Sequence, residues 1–246
     1  MDLQLKNKIA IISGASKGIG AATALELAKE GTHLVLIARN KDAVEKIAND
    51  LKSSYPVKVL PITADIKDFQ NCKNIIESSI KLFGKVDILI NSVGASQGGV
   101  FWEISDDVWK ESFELKVMGT VKMMRAVIPS MIEKRYGRIV NVIGNTGKQP
   151  SSKLLPGSSA NAALLTIIKG LSEDLAPHGI KINALNPGPT RTERWVNLMK
   201  NLSDNSDKSI KEIENEFIKD IPIGKLAEPN EIAKLVTFLA SDIASN

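Results

Sequence analysis

Cysteine is almost absent from this chain: Cys72 is the only one in 246 residues. A lone thiol closes no intramolecular disulfide and builds no cysteine-based metal cluster, so no metal is expected. Aromatic residues are scarce, at 4%, and the side chains that most often move protons in enzymes are scarcer still, with two tyrosines and two histidines. No apolar run is long enough to cross a bilayer. The first residues lack the charged-then-apolar pattern of an export signal, because the first apolar run, 9–12, already reads as a strand. Charge of one sign is gathered nowhere. The 32 Lys and Arg against 28 Asp and Glu leave a net +4 spread along the chain, whereas a nucleic-acid surface needs a clustered basic stripe. The expectation is a cytoplasmic chain with neither nucleic acid nor membrane as a partner.

What is present is a regular alternation. At 43% hydrophobic residues, the chain can fill the core of one large α/β domain spanning 1–246. Strands are expected at 9–12, 33–38, 57–62, 86–90, 138–143 and 180–185, with helices between them at 21–30, 42–53, 69–83, 106–134 and 161–176 and a last one at 231–240. That order predicts a parallel sheet with helices on both faces. Asp68 is placed to cap its helix, and Pro129 to kink the long one. The Pro/Gly/Ser cluster at 150–159 is expected to break the pattern. The polar excursion 187–224 leaves from the carboxyl end of a strand, which suits a lid over a crevice, with a plain surface insertion as the alternative.

The stretch Ser13-Gly14-Ala15-Ser16-Lys17-Gly18-Ile19-Gly20 lies between the first strand and the first helix. Glycines there permit a tight turn and close approach of backbone to a pyrophosphate, which the helix N-terminus then binds through unpaired N–H groups. This block, Asp65-Ile66, Asn91-Ser92-Val93-Gly94, and Asn186-Pro187-Gly188 with Thr190 and Thr192 together resemble the short-chain dehydrogenase/reductase superfamily over nearly the full length. The resemblance implies a Rossmann-like doubly wound sheet in the order 3-2-1-4-5-6-7, with NAD(P) across its carboxyl edge. The chain ends at Asn246, where members usually add a last strand. Order 3-2-1-4-5-6 is therefore expected, and strand seven is left open. Implied cofactor contacts are Gly14, Ser16, Lys17, Gly18, Ile19 and Gly20, then Asp65 with Ile66 at the adenine. Asn91 and Gly94 are implied at the adenosine ribose, and Pro187, Gly188, Thr190 and Thr192 on the nicotinamide side. An NAD site places an acid at the end of the second strand, and an NADP site a cation. Here that end reads Ala38-Arg39, and Lys17 adds a second cation. NADP is expected, the alternative being surface cations without a ligand.

Family enzymes reduce a carbonyl with a Ser, a Tyr, a Lys and an Asn. Matched to this chain, those positions are Gly144, Gly157, Asn161 and Lys116, so the resemblance implies an atypical site. Tyr55, Tyr136, His33 and His178 stand at the amino ends of strands, a strand's length from the crevice. The remaining candidates are Lys116, Asn161 and Ser158, then Lys148, Lys153, Ser159, Arg191, Glu193 and Arg194. The family's Asn and Lys recur exchanged, as Lys116 and Asn161. Two readings stay open: an NADP-dependent oxidoreductase on a small carbonyl or alcohol, with Lys116 or a water held by Ser158 as acid, and a non-catalytic NADP-binding module. Trp102, Phe101 and Trp195 are placed either on a substrate wall or in lid packing. The resemblance also implies a homodimer or homotetramer. Met123, Met124, Val127 and Met131 would feed that interface or else the core.

Overall fold

The computed structural model describes residues 1–94, 97–204 and 206–244. Its first half runs β1 (Ile9–Ser13), α1 (Gly18–Lys29), β2 (His33–Ala38), α2 (Lys41–Ser54), β3 (Val59–Thr63), α3 (Phe69–Phe83) and β4 (Ile88–Asn91). Then follow α4 (Asp106–Ser112), a π-helical segment (Phe113–Met118), α5 (Gly119–Lys134), β5 (Gly137–Val142), α6 (Leu155–Leu175) and β6 (Ile180–Leu185). The chain continues through α7 (Glu193–Asp204), α8 (Ile210–Lys219) and α9 (Pro229–Leu239). The strands form one parallel sheet in the order β3-β2-β1-β4-β5-β6, as expected for a Rossmann-like doubly wound fold. Ala95 and Ser96 after the Asn91–Gly94 block lie outside the described residues, as do Asn205 in the excursion and Ser245 and Asn246.

Side chains alternate across a strand, and here both faces are apolar. Ile11, Val35, Leu89 and Ile139 pack with residues of α3, α5 and α6. Their neighbours Ile12, Leu34, Ile90 and Val140 pack on the opposite face with α1, α2 and α9. Met123, Met124, Val127 and Met131 are all buried in the first of these layers. Of the two placements left open for them, they take the chain's own core.

Three local expectations also change. The cluster at 150–159 breaks the alternation only in part, since α6 begins at Leu155 and contains Gly157. Pro156 lies in the first turn, where its missing N–H costs nothing and its fixed φ suits a helix. In the long helix, Pro129 sits within α5, and a π segment not foreseen from the sequence precedes it at Phe113–Met118. Within the excursion, Trp195 belongs to a small core with Met199, Ile213 and Leu226. Its ring meets Phe217 edge-on at 5.3 Å and its Nε1 donates to Glu214 at 3.1 Å, so it packs the excursion and forms no substrate wall. Phe101 and Trp102 are exposed, and Phe101 meets Trp109 edge-on.

At the amino edge of the sheet, Asp242 ties the end of the chain to two strand entries. It accepts from Tyr136 at 2.7 Å and Arg138 at 2.9 Å and pairs with Lys8 at 3.0 Å. Burial works to raise the Asp242 carboxyl, but the hydrogen bonds from Tyr136 and Lys8 and the charges of Lys8 and Arg138 outweigh it and hold the group below its usual value. A depressed carboxylate contributes stability above the unfolded pKa, lost as pH falls through the folded one. Asp242→Asn is expected to cost about 1–2 kcal/mol at pH 7, seen as a Tm lower by about 2–8 °C. In melts against pH the gap to wild type should close below about pH 4.

Candidate active site

Every strand ends on the same edge, and the register lines up Ser13, Asn91 and Asn141. Ser13 Oγ donates to Asn91 Oδ1 at 3.2 Å, Asn91 Nδ2 to Asn141 Oδ1 at 2.9 Å, and Asn141 Nδ2 to the Asn183 carbonyl at 3.3 Å. This buried polar row marks where three connections leave the sheet. Asn91 spends its side chain in the row, which leaves its backbone for any ligand.

From β1 the chain turns at Gly14, whose φ of +75° suits glycine and whose Cβ, if present, would stand 2.4 Å from the Ser92 carbonyl oxygen. A Cβ on Gly20 would meet the Gly14 carbonyl oxygen at 2.2 Å. The turn thus lies flat against the β4 exit, and α1 starts beside it. The N-cap of α1 is Lys17, which makes no side-chain cap bond, so the first-turn N–H groups around Gly18, Ile19 and Gly20 have no side-chain acceptor from it. Gly14 N and Ala15 N donate to the Ile37 carbonyl, which joins the turn to the β2 end that carries Arg39. Asp65 holds its own turn by accepting from Lys67 N at 2.9 Å. Ile66 is buried in the core against Gly119, so its side chain is core and only its backbone is available to a ligand.

The excursion crosses in front of this turn. Lys17 pairs with Glu193 at 3.2 Å, with both side chains exposed, and Thr192 lies against Gly18. Arg194 donates to the Gly94 carbonyl at 3.3 Å, and Arg191 is held by Glu214 and Glu228. Pro187 accepts from Asn145 N, and the Thr190 hydroxyl donates to the Gly188 carbonyl at 3.0 Å. Nearby, Asn186 Oδ1 is buried without a hydrogen-bond partner.

Deepest in the crevice is Lys116, at 5% exposure. The π segment carries it, flanked by buried Leu115 and Val117. Its ammonium donates to Asn161 Oδ1 on α6, and its stem lies so close to Gly94 that a Cβ there would stand 2.8 Å from Lys116 Cε. Asn161 Nδ2 in turn donates to Thr146 Oγ1 at 2.9 Å. Burial pushes the Lys116 ammonium down to about 8, and the positive charge of Arg194 adds to the push. The exchanged pair read from the sequence is therefore one contact. Ser158 is buried with its hydroxyl donating to the Leu154 carbonyl at 2.9 Å, so its proton goes to its own helix. Ser159 likewise bonds Leu155 and Pro156 carbonyls, and Lys148 and Lys153 are exposed.

The residues fit a dinucleotide. Two glycine positions clear the backbone, a helix N-terminus lacks a side-chain cap, cations stand at the β1 and β2 ends, and an orphan acceptor waits at Asn186. No cluster of metal-binding side chains exists among the described residues. Thr146 and Asn141 are bonded into this edge without having been singled out from the sequence, and Ser13 was read only as the start of the glycine block. A polar residue in an otherwise apolar strand was the available sign for Ser13 and Asn141.

Comparison with known proteins agrees. The NADPH-dependent reductase BacG of Bacillus subtilis (strain 168) is 31% identical over 242 residues, covering 98% of this chain and 93% of that protein. The crystal structure of L-sorbose reductase from Gluconobacter frateurii, complexed with NADPH and L-sorbose, superposes with a TM-score of 0.94 at 32% identity, covering 99% and 93% of the two chains. NAD+-bound xylitol dehydrogenase superposes at 0.93 with 26% identity over 98% and 95%. Residues 8–203 match the short chain dehydrogenase family, and the chain belongs to it.

Proposed function

We propose that this protein is an NADP(H)-dependent oxidoreductase that reduces a small carbonyl compound with Lys116 as proton donor. The observation that carries the reading is the buried Lys116–Asn161 contact beside Gly94, at the edge where the glycine turn leaves the sheet. The bound cofactor supplies a hydride. The chain must then supply one proton to the carbonyl oxygen. Lys116 holds such a proton on an ammonium whose ordinary reluctance to release it is reduced by burial. The neutral amine left behind regains its proton from water. Asn161 keeps the donor in place, and the burial of Lys116 limits competing solvent.

NADP is favoured over NAD by Lys17 and Arg39 and by the lack of an acid at the β2 end. Relatives described as NADPH-dependent or NADPH-bound support the same choice. We also propose cytoplasmic residence and a homodimer or homotetramer, with 187–224 acting as a lid. The second reading, a non-catalytic NADP-binding module, is favoured by glycine at 144 and 157, the positions matched to the family's Ser and Tyr.

Calorimetry is expected to give NADPH an advantage over NADH of more than tenfold, the scale of one charge-assisted bond. The advantage should shrink in high salt and disappear in Lys17→Gln/Arg39→Gln. Equal affinities in the wild type would overturn the assignment.

A carbonyl panel with NADPH is expected to yield turnover that falls above about pH 8, where Lys116 loses its proton. Lys116→Met should remove about 100-fold or more of that rate. The same lysine has a stability signature. Its folded pKa of about 8 lies below the ordinary 10.5, so between these values the unfolded chain holds more protons and wild-type stability rises with pH. Melts of Lys116→Met should lack this rise. NADPH binding without turnover on any substrate would move the weight to the non-catalytic reading.

A further inference from the structure

We infer that Thr146 is a positioning residue for the proton on Lys116: its hydroxyl fixes the Asn161 amide so that the amide oxygen stays on the ammonium. The inference rests on the reading of Lys116 as acid, but its argument uses only bonds within the chain. Asn161 is buried, and its amide has one accepting end and one donating end. Lys116 takes the oxygen. The NH2 end would be a buried donor without a partner if Thr146 Oγ1 did not accept it at 2.9 Å. Turning the amide over would set N–H groups against an ammonium, donor against donor. Thr146 and Lys116 therefore define one orientation between them.

The turn that carries Thr146 is itself fixed. It opens at Gly144, with a φ of +123° that disfavours any side chain, and Asn145 N ties it to the Pro187 carbonyl at 2.9 Å. A Cβ on Gly147 would stand 2.9 Å from Asn161 Cβ, so this glycine lets the turn close on α6. A Cβ on Gly144 would come within 3.2 Å of Asn161 Nδ2. Both glycines make room for the asparagine that Thr146 holds. Among the described residues, the groups that meet Lys116 are the Asn161 amide from α6, Gly94 after β4, and Arg194 from α7. Arg194 is the charged group whose field lowers it.

Without the Thr146 acceptor the Asn161 NH2 is a buried donor with its partner gone, the amide is held at one end only, and its hydrogen bond to the ammonium weakens. A bond to the charged form favours that form, so weakening it lowers the Lys116 titration midpoint further. The test is NMR titration of lysine labelled with carbon-13 at Cε, with the Lys116 signal assigned by its loss in Lys116→Met. Thr146→Val is expected to lower the midpoint by about one pH unit, the scale of a charged hydrogen bond. Thr146→Ser should restore it. On a reducible carbonyl, the alkaline limb should move with the midpoint and kcat should fall about tenfold, with KM for NADPH unchanged. Thr146→Ala, which adds no atom to the turn, gives the same reading if valine disturbs folding. A lowered Tm with the Lys116 midpoint in place means a merely structural threonine and overturns the inference. A midpoint that follows Thr146 in a protein that reduces nothing keeps the positioning role and overturns the reductase reading. Lys116-dependent turnover with an unmoved midpoint in Thr146→Val overturns the positioning role alone.

Discussion

The register of the central strands is the constraint on which the site depends. Ser13, Asn91 and Asn141 stand side by side because β1, β4 and β5 pair without offset, and their hydrogen bonds hold that alignment. A slip of one residue would turn each polar group into an apolar layer and each apolar neighbour out of it. With the alignment held, the exits of β1, β4 and β5 begin from one row. The glycine turn can then lie against the Ser92 carbonyl, and Gly94 against Lys116.

Burying a lysine at this edge is costly, and the fold contains it by local means. The π segment carries Lys116 buried, with its stem against Gly94 and its ammonium reaching Asn161 on α6. Segments of this type recur at functional sites because the wider turn re-aims a side chain that regular helix would send elsewhere. Burial, and after it the charge of Arg194, brings the ammonium down to about 8, and one amide oxygen accepts its hydrogen bond. A group required only for structure could be replaced by an apolar residue at lower cost.

Much of the fold was legible because its signals are periodic. Alternating apolar runs located all six strands of the sheet, and the glycine block marked the turn between β1 and α1. The start of α6 was missed because Pro156 and Gly157 read as breakers, although proline in a first turn is a starter. Nothing in the spacing of the 106–134 helix distinguished a π turn from a proline kink. At the site, residue types were visible but their partners were not. Ser158 and Thr146 each offer a hydroxyl, and only the backbone path decides that Ser158 bonds its own helix while Thr146 faces Asn161. Trp195 read equally well as wall or packing, because an indole suits both until its neighbours are known.

Lys116 and Asn161 are better understood as part of a set than as two separate residues. Asn161 occupies space that a side chain at Gly144 or Gly147 would contest. Its amide needs an acceptor, which Thr146 supplies from the same turn. Lys116 needs Gly94 to lack a side chain, since a Cβ there would collide with its stem. Here each small residue borders the larger one that needs the space, and both ends of the Asn161 amide are satisfied. Lys116, Asn161, Thr146 and the glycines at 94, 144 and 147 are thus one packed unit, in which the space taken by each long side chain is left open by a residue without one.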